Sequence, residues 1–349
     1  MKVKENKGID IKNLTLAGLE ELVLSLREKR YRAHQIMRWI YHRSASSFEE
    51  MTDLPKEFRS RIASAFHLST FKPQKVKTSN DGTYKFLFEL KDKNCIETVL
   101  IPEKKHRTLC VSTQVGCALG CKFCLSGKEG LIRNLGTSEI VNQVCAIKND
   151  FPIRDETLNI VFMGMGEPLA NYENTLKALQ ILTSPFGFNV SHRRITVSTA
   201  GLIPEIKKLG QALPVNLAIS LNAANNSLRN FLMPINKKYP LDKLLEVASK
   251  TPLPSRKRIT FEYILIKNIN DSLKEAEKLA KLLRDIRCKI NLIPFNEHKG
   301  VEFKRPDDKA VNQFRHFLGS KNFTVMVRES KGNDILAACG QLGYLSNPH

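Results

Sequence analysis

Tryptophan is nearly absent from this 349-residue chain, with Trp39 the only one, but other shortages exclude more. No stretch approaches the roughly 20 consecutive apolar residues that a membrane helix needs, so a spanning helix is not expected. The N-terminal MKVKENKGIDIKN carries lysines with no apolar run behind them, which does not fit a secretory signal. Acidic residues are short: 35 Asp and Glu stand against 55 Lys and Arg, a net charge of +20. Such an excess suits a polyanionic partner, with nucleic acid the first candidate. The excess is spread along the chain, since residues 1–90 hold 17 Lys and Arg against 11 Asp and Glu. Charge therefore singles out no one binding domain. The eight cysteines do not form the spaced pairs of a disulfide framework, and three sit in one tight cluster. They read as intracellular metal or catalytic thiols, and the chain as cytoplasmic with no membrane contact.

Hydrophobic residues make up 42% of the chain, enough for a large α/β domain and a small accessory one. LTLAGLEELVLSL, RAHQIMRWIYHR and KEFRSRIASAF, between residues 14 and 68, have apolar residues at three- and four-residue steps and predict helices. Trp39 falls in this helical module and is expected to pack in a core. Short β segments follow in YKFLFEL, CIETVLIP and TLCVSTQ. From about residue 107 strands alternate with amphipathic stretches. LNIVFMG, RITVSTA, NLAISLN, ITFEYILI, INLIPFN and FTVMVRE read as strands, with TSEIVNQVCAIKND, NTLKALQILT and SLKEAEKLAKLLRDI among the helices between them. That alternation predicts an α/β fold, a parallel sheet closed partly or wholly into a βα barrel. The expected division is an N-terminal helical accessory domain with linker over 1–90 and a barrel core over 91–349.

Polar residues fall on the ends of these strands. Gly166 and Glu167 lie just past LNIVFMG, Ser198 ends RITVS, Ser220 and Asn222 end NLAISLN, and Asn296 ends INLIPFN. Barrel active sites are built at C-terminal strand ends, so these residues are expected to share a pocket.

VGCALGCKFC places Cys117, Cys121 and Cys124 at spacings of four and three, with no obvious fourth thiol. A closed zinc site would need a fourth ligand, His106 or a distant cysteine. An open site would not: three thiolates can hold three corners of a [4Fe–4S] cube and leave one iron for an exogenous ligand.

The Cys-x3-Cys-x2-Cys run, with Phe123 before its last cysteine, resembles the signature of the radical S-adenosylmethionine (SAM) superfamily. MGMGEPLAN, STAG, SLNAA, LMPIN, LIPFN and DILAACGQL extend the resemblance to the rRNA adenine-C2 methyltransferases of that superfamily. The likeness runs from about 97 to 345, with a fainter echo in RAHQIMRWIY and LPKEFR. It implies a partial (β/α)6 barrel, SAM on the open iron, and SAM contacts from Gly166, Glu167, Ser198, Ser220, Leu221, Asn222 and Asn296. Asn222 stands where that family usually has His.

The resemblance also assigns roles to residues whose local sequence is bland. It makes Cys339 the methyl-accepting thiolate, Cys110 the thiol that displaces modified RNA by forming a disulfide, and Glu97 the base for the C2 proton. The implied substrate is an adenosine of 23S rRNA, with an anticodon-loop adenosine of tRNA as a second. The implied working form is a monomer fed by a donor such as flavodoxin or ferredoxin. The chemistry explains the need for a radical: adenine C2 lies between two ring nitrogens and is too electron-poor to attack a methylsulfonium. Pro168 in GEPLAN favours the C2 branch over the related C8-methylating one. A non-catalytic zinc-containing RNA-binding protein is the alternative of a different class.

Overall fold

The structure, a computed structural model, describes residues 8–151, 157–251 and 257–343. The lysine-bearing residues 1–7 and the end of the expected core, 344–349, lie outside them.

The described residues fall into two compact units. The first draws on Met1–Pro73, Leu135–Leu158 and Tyr172–Ser191. Helices Leu16–Ser25, Tyr31–Tyr41 and Lys56–Ala65 correspond to the three amphipathic segments. Thr15 caps the first, its side chain accepting from Gly18 N. The second buries Ala33, Ile36, Met37, Ile40 and Tyr41, the three- and four-residue spacing of one helix face. Helices Thr137–Asp150 and Tyr172–Thr183 belong to the same unit rather than to the one holding the large sheet. Lys12 shows why. Its buried ammonium donates to Ser69 O at 2.8 Å and to Asn142 Oδ1 at 2.6 Å, tying the N-terminal turn to the helix Thr137–Asp150. Aromatic contacts do the same for the segment after Tyr172–Thr183: His34 stacks on Phe186 at 4.0 Å and Tyr41 meets Phe188 at 4.9 Å.

Trp39 departs from its expected core position. It lies beside the buried stripe and is half-exposed, with Nε1 donating to Asp53 Oδ1 at 2.6 Å and the Arg43 guanidinium 4.3 Å from its ring centroid.

The second unit draws on Gln74–Asn134, Asn159–Asn171 and His192–His349. Six strands, Thr157–Phe162, Ile195–Thr199, Asn216–Ser220, Ile259–Leu265, Cys288–Pro294 and Thr324–Val327, pair in chain order and in parallel. This is the α/β sheet that the alternation predicts, and it puts all six C-terminal ends on one edge. Four further strands, Lys75–Thr78, Tyr84–Glu89, Cys95–Pro102 and His106–Cys110, form an antiparallel meander within the same ten-stranded sheet. In it Val99 is opposite Cys110. Side chains alternate along a strand, so Glu97 shares a sheet face with Val99 and Cys110.

The cysteine run lies between the two strands of a small hairpin, Gln114–Gly116 and Leu131–Asn134. Gly116 has φ +72°, and a β-carbon there would lie 1.8 Å from Gly130 O. No side-chain rotation relieves a clash with backbone. Gly116→Ala is therefore expected to destabilise the protein by about 3 kcal/mol, read as a lower denaturant midpoint at unchanged slope. An unchanged midpoint would mean that the hairpin does not hold the cysteine run in place.

Candidate active site

Two cavities of the second unit contain most of the singled-out residues. The first, about 150 Å³, is lined by Cys117, Cys121, Cys124, Gly166, Glu167, Ser198, Ser220, Asn222 and Cys339, among others. The three clustered thiols and the strand-end residues thus meet in one place. The second, about 600 Å³, is lined by Cys110, Asn296, His106, Arg328 and again Cys339. Met163, Ile293 and Cys339 belong to both walls.

Among the described residues, no three His, Cys, Asp or Glu side chains gather as ligands of a single metal ion do. His106, which a zinc site would recruit, lines the other cavity from the three thiols. The donor set itself suits a metallocluster: the three clustered sulfur donors line one cavity together with the strand-end polar groups and Cys339. Burial is the main force on these thiols. It pushes Cys117 up to about 12 and Cys121 well above the ordinary thiol value, and it raises Cys124. Thiols that resist ionising in a dry wall become good thiolate ligands once a cation replaces their protons.

The strand-end residues are held by bonds their sequence does not reveal. Glu167 accepts from Ala200 N at 2.8 Å and Leu169 N at 3.1 Å, and burial still raises its carboxyl to about 7. Ser198 Oγ donates to Glu262 Oε2 at 3.0 Å. Asn222 adopts φ +59°, a left-handed conformation Asn tolerates, and its side chain is occupied locally: Oδ1 accepts from Ile264 N and Nδ2 reaches Met233 Sδ. Leu221 is fully buried and borders neither cavity; its backbone N donates to Glu262 O at 2.9 Å.

Cys339 rides on a C-terminal segment that many bonds fix. Asn296 Nδ2 donates to Cys339 O at 3.0 Å, Leu125 N donates to Gly340 O at 2.8 Å, and Gln341 Nε2 donates to Glu297 O at 2.8 Å. Gly340 has φ +84°, and a β-carbon there would press on Phe123 O at 3.2 Å. This conformation and close approach require glycine. Asn296 therefore sits on the second cavity as a bracket for Cys339, not on the cavity it was expected to share with Glu167.

Glu97 lines neither cavity. Its carboxylate pairs with Lys85 Nζ at 2.7 Å and accepts from Gly343 N at 3.1 Å, and both Glu97 and Lys85 are buried. Lys85 Nζ also donates to Leu336 O at 3.0 Å, so the segment bearing Cys339 crosses this ion pair. Cys110 itself is pushed up to about 12, by burial first and Cys339 second, with Arg328 acting the other way.

Comparison with known proteins decides the family. Residues 9–68 match the ribosomal RNA large subunit methyltransferase N-terminal domain, and residues 111–283 match the radical SAM superfamily. The chain is 54% identical over 334 residues to the dual-specificity RNA methyltransferase RlmN of Geobacter sulfurreducens, covering 96% of this chain and 92% of that protein. The chain belongs to the RlmN family of radical SAM RNA methyltransferases. The RlmN of Geotalea uraniireducens is 51% identical, covering 96% of both chains. The crystal structure of a radical SAM methyltransferase from Sphaerobacter thermophilus superposes with a TM-score of 0.90 at 44% identity, covering 96% of this chain and 99% of that one.

Against this RlmN framework, sequence reasoning missed Glu262, Arg328 and Lys85. Glu262 had a signal, a lone acid inside the otherwise apolar ITFEYIL. Arg328, directly after the strand Thr324–Val327, had the same strand-end signal as Ser198. Lys85 in YKFLFEL had none, because an exposed lysine is the ordinary expectation for a half-buried strand. No described helix is long and apolar enough to cross a membrane.

Proposed function

We propose that this protein methylates C2 of an adenosine in 23S rRNA, and of one in tRNA, through a methyl group carried by Cys339. The observation that supports this above the others is that Cys339 borders both cavities, facing the three clustered thiols in one and Cys110 in the other. A carrier thiol needs that double access, and a core cysteine does not. Cys117, Cys121 and Cys124 would hold a [4Fe–4S] cluster, which would supply the electron that cleaves SAM.

The chain's own residues do the rest. Glu167, Ser198, Ser220 and Asn222, with the backbone at Gly166, hold SAM at the strand ends, and Leu221 lies buried behind them rather than on the cavity. Asn296 fixes the Cys339 loop through its carbonyl, and so sets the sulfur's place between the cavities. Cys339 accepts the methyl group of one SAM as a thiolate. The radical left by reductive cleavage of a second SAM would take one hydrogen atom from that S-methyl. The resulting carbon radical would add to adenine C2, and the electron then lost from the adduct would return to the cluster. Glu97 takes the C2 proton, for which its pair with Lys85 must open. Cys110, as a thiolate, attacks the Cys339 sulfur. A disulfide forms, the C–S bond breaks with its electron pair left on carbon, and a proton completes the methyl group. The second cavity, about 600 Å³, has room for the base. A donor of the flavodoxin or ferredoxin kind feeds the cluster, and the chain works as a monomer in the cytoplasm.

The test is the product. Nuclease digestion of methylated rRNA, with the modified nucleoside separated against C2- and C8-methyladenosine standards, is expected to give the C2 isomer. The C8 isomer would overturn the assignment.

A pH dependence follows from Cys110. The attacking species is the thiolate, and burial holds the thiol protonated up to about 12. Below that value the thiolate fraction rises tenfold per pH unit, so resolution of the RNA adduct should accelerate about tenfold per unit between roughly pH 7 and 9. Single-turnover quenching on a denaturing gel measures this. A flat profile would place another group in the resolving role.

A further inference from the structure

Arg229 is the largest fully buried side chain among the described residues, with no exposed surface. Its partners are all neutral: Nε donates to Leu221 O at 3.0 Å, one terminal nitrogen to Asn236 Oδ1 at 2.9 Å, the other to Ala200 O at 2.7 Å and Ser220 O at 3.1 Å. Among the described residues no carboxylate pairs with it. A buried cation without a counter-ion is costly, and proteins rarely keep one unless an anion arrives from elsewhere.

The surroundings say where that anion would be. Arg229 lies on the helix Asn226–Leu232, whose last carbonyl, Leu232 O, accepts from Lys122 N at 3.0 Å. Lys122 follows Cys121, and Cys121 and Cys124 pack on the apolar cluster containing Leu232 and Met233. Burial drives the Arg229 guanidinium down to about 10, and Cys121 is the ionisable neighbour that works against this.

We propose that Arg229 is the built-in counter-charge of the metallocluster, a buried cation behind Cys121 that favours the reduced, more negative cluster and so raises its potential. The proposal rests on the cluster reading above. Reduction adds one electron and no proton, supplied by a one-electron donor of flavodoxin type in the cell or dithionite in the test. The added negative charge lies in a low-dielectric wall, where a fixed cation acts strongly. Net charge near an iron–sulfur cluster is among the factors that set its potential. Three of the four bonds also tie together the strand ends at Ala200, Ser220 and Leu221, and a purely structural tether would leave the potential unmoved.

The experiment is an EPR-monitored redox titration of anaerobically reconstituted protein without RNA. Arg229→Gln removes the charge. Asn236→Asp keeps Arg229 and its carbonyl bonds but sets a carboxylate where Oδ1 now lies 2.9 Å away, neutralising the cation in place. Both should lower the reduced-to-oxidised ratio at a fixed potential by about tenfold, a shift of about 59 mV to the negative for a one-electron couple. Arg229→Lys, which keeps the charge but not the fork, should titrate like wild type. Wild-type potentials in Arg229→Gln and Asn236→Asp would overturn the proposal. So would failure of both to take up iron while folded by circular dichroism, because Arg229 would then be a tether alone. Wild-type protein without a four-iron cluster would instead overturn the cluster reading on which the proposal stands.

Discussion

Cys110→Ala protein, incubated anaerobically with SAM, reductant and RNA, should accumulate with RNA covalently joined to Cys339. The argument is one of leaving groups. Once the methyl carbon bridges Cys339 sulfur and adenine, a C–S bond to sp³ carbon is not broken reversibly by water or SAM. Release needs a thiolate at the sulfur, and Cys110 shares the second cavity with Cys339. Ala at 110 leaves every earlier step intact, so the adduct forms and stays while product falls by about a thousandfold, ~4 kcal/mol of transition-state stabilisation. Cys339→Ala has no carrier and should give neither adduct nor product. A packing role for the two thiols predicts something else: modest losses of stability in both variants and no trapped RNA. A denaturing gel with and without nuclease, followed by mass spectrometry of the Cys339 peptide, separates the outcomes. Absence of the shifted band in Cys110→Ala protein with a full cluster would remove Cys110 from the mechanism.

Ala at Cys117, Cys121 or Cys124 should remove the cluster while sparing the fold. The backbone bonds that shape the run, Cys117 N to Gly130 O and Cys124 N to Cys121 O, do not involve sulfur. Iron should fall from about four per chain to traces in each variant, with loss of visible absorbance. Product should fall at least about a thousandfold, ~4 kcal/mol, because the electron that cleaves SAM would come from the cluster. Circular dichroism should change little, which separates a lost cluster from a lost fold. Stoichiometric zinc without iron in the reconstituted wild type would contradict the reading at its root.

The sequence and the structure differ in instructive places. Period-2 and 3.6-residue patterns are local, so the alternating strands and helices of the sheet were legible, as were the strand-end residues Glu167, Ser198 and Ser220. Membership of a unit is not local. The helices Thr137–Asp150 and Tyr172–Thr183 have ordinary crossover patterns, yet Lys12 holds the first, and His34 and Tyr41 hold Phe186 and Phe188 just after the second, residues that no sequence spacing connects to them. The site shows the same division. Cys117, Cys121 and Cys124 announce themselves by spacing alone. Cys110 and Cys339 are 229 positions apart, and only the resemblance joined them before the structure placed both on one cavity. Lys85 and Arg229 were invisible because both are buried, Lys85 against Glu97 and Arg229 among neutral oxygens, and a string of residues does not display such burial. Asn296 was legible as a site residue but not as a bracket for Cys339, since that bond depends on how a distant segment folds back.

The central claim is that the methyl group reaches RNA by way of a protein sulfur and loses one hydrogen on the way. SAM with a fully deuterated methyl group tests it in one measurement. Carriage on Cys339 requires one deuterium to leave the methyl before carbon bonds to adenine, and one solvent proton to return when Cys110 releases the product. The isolated C2-methyladenosine should therefore carry two deuterium atoms in its new methyl group, by mass spectrometry after nuclease digestion. Three would mean direct transfer from SAM to RNA, and would contradict the account.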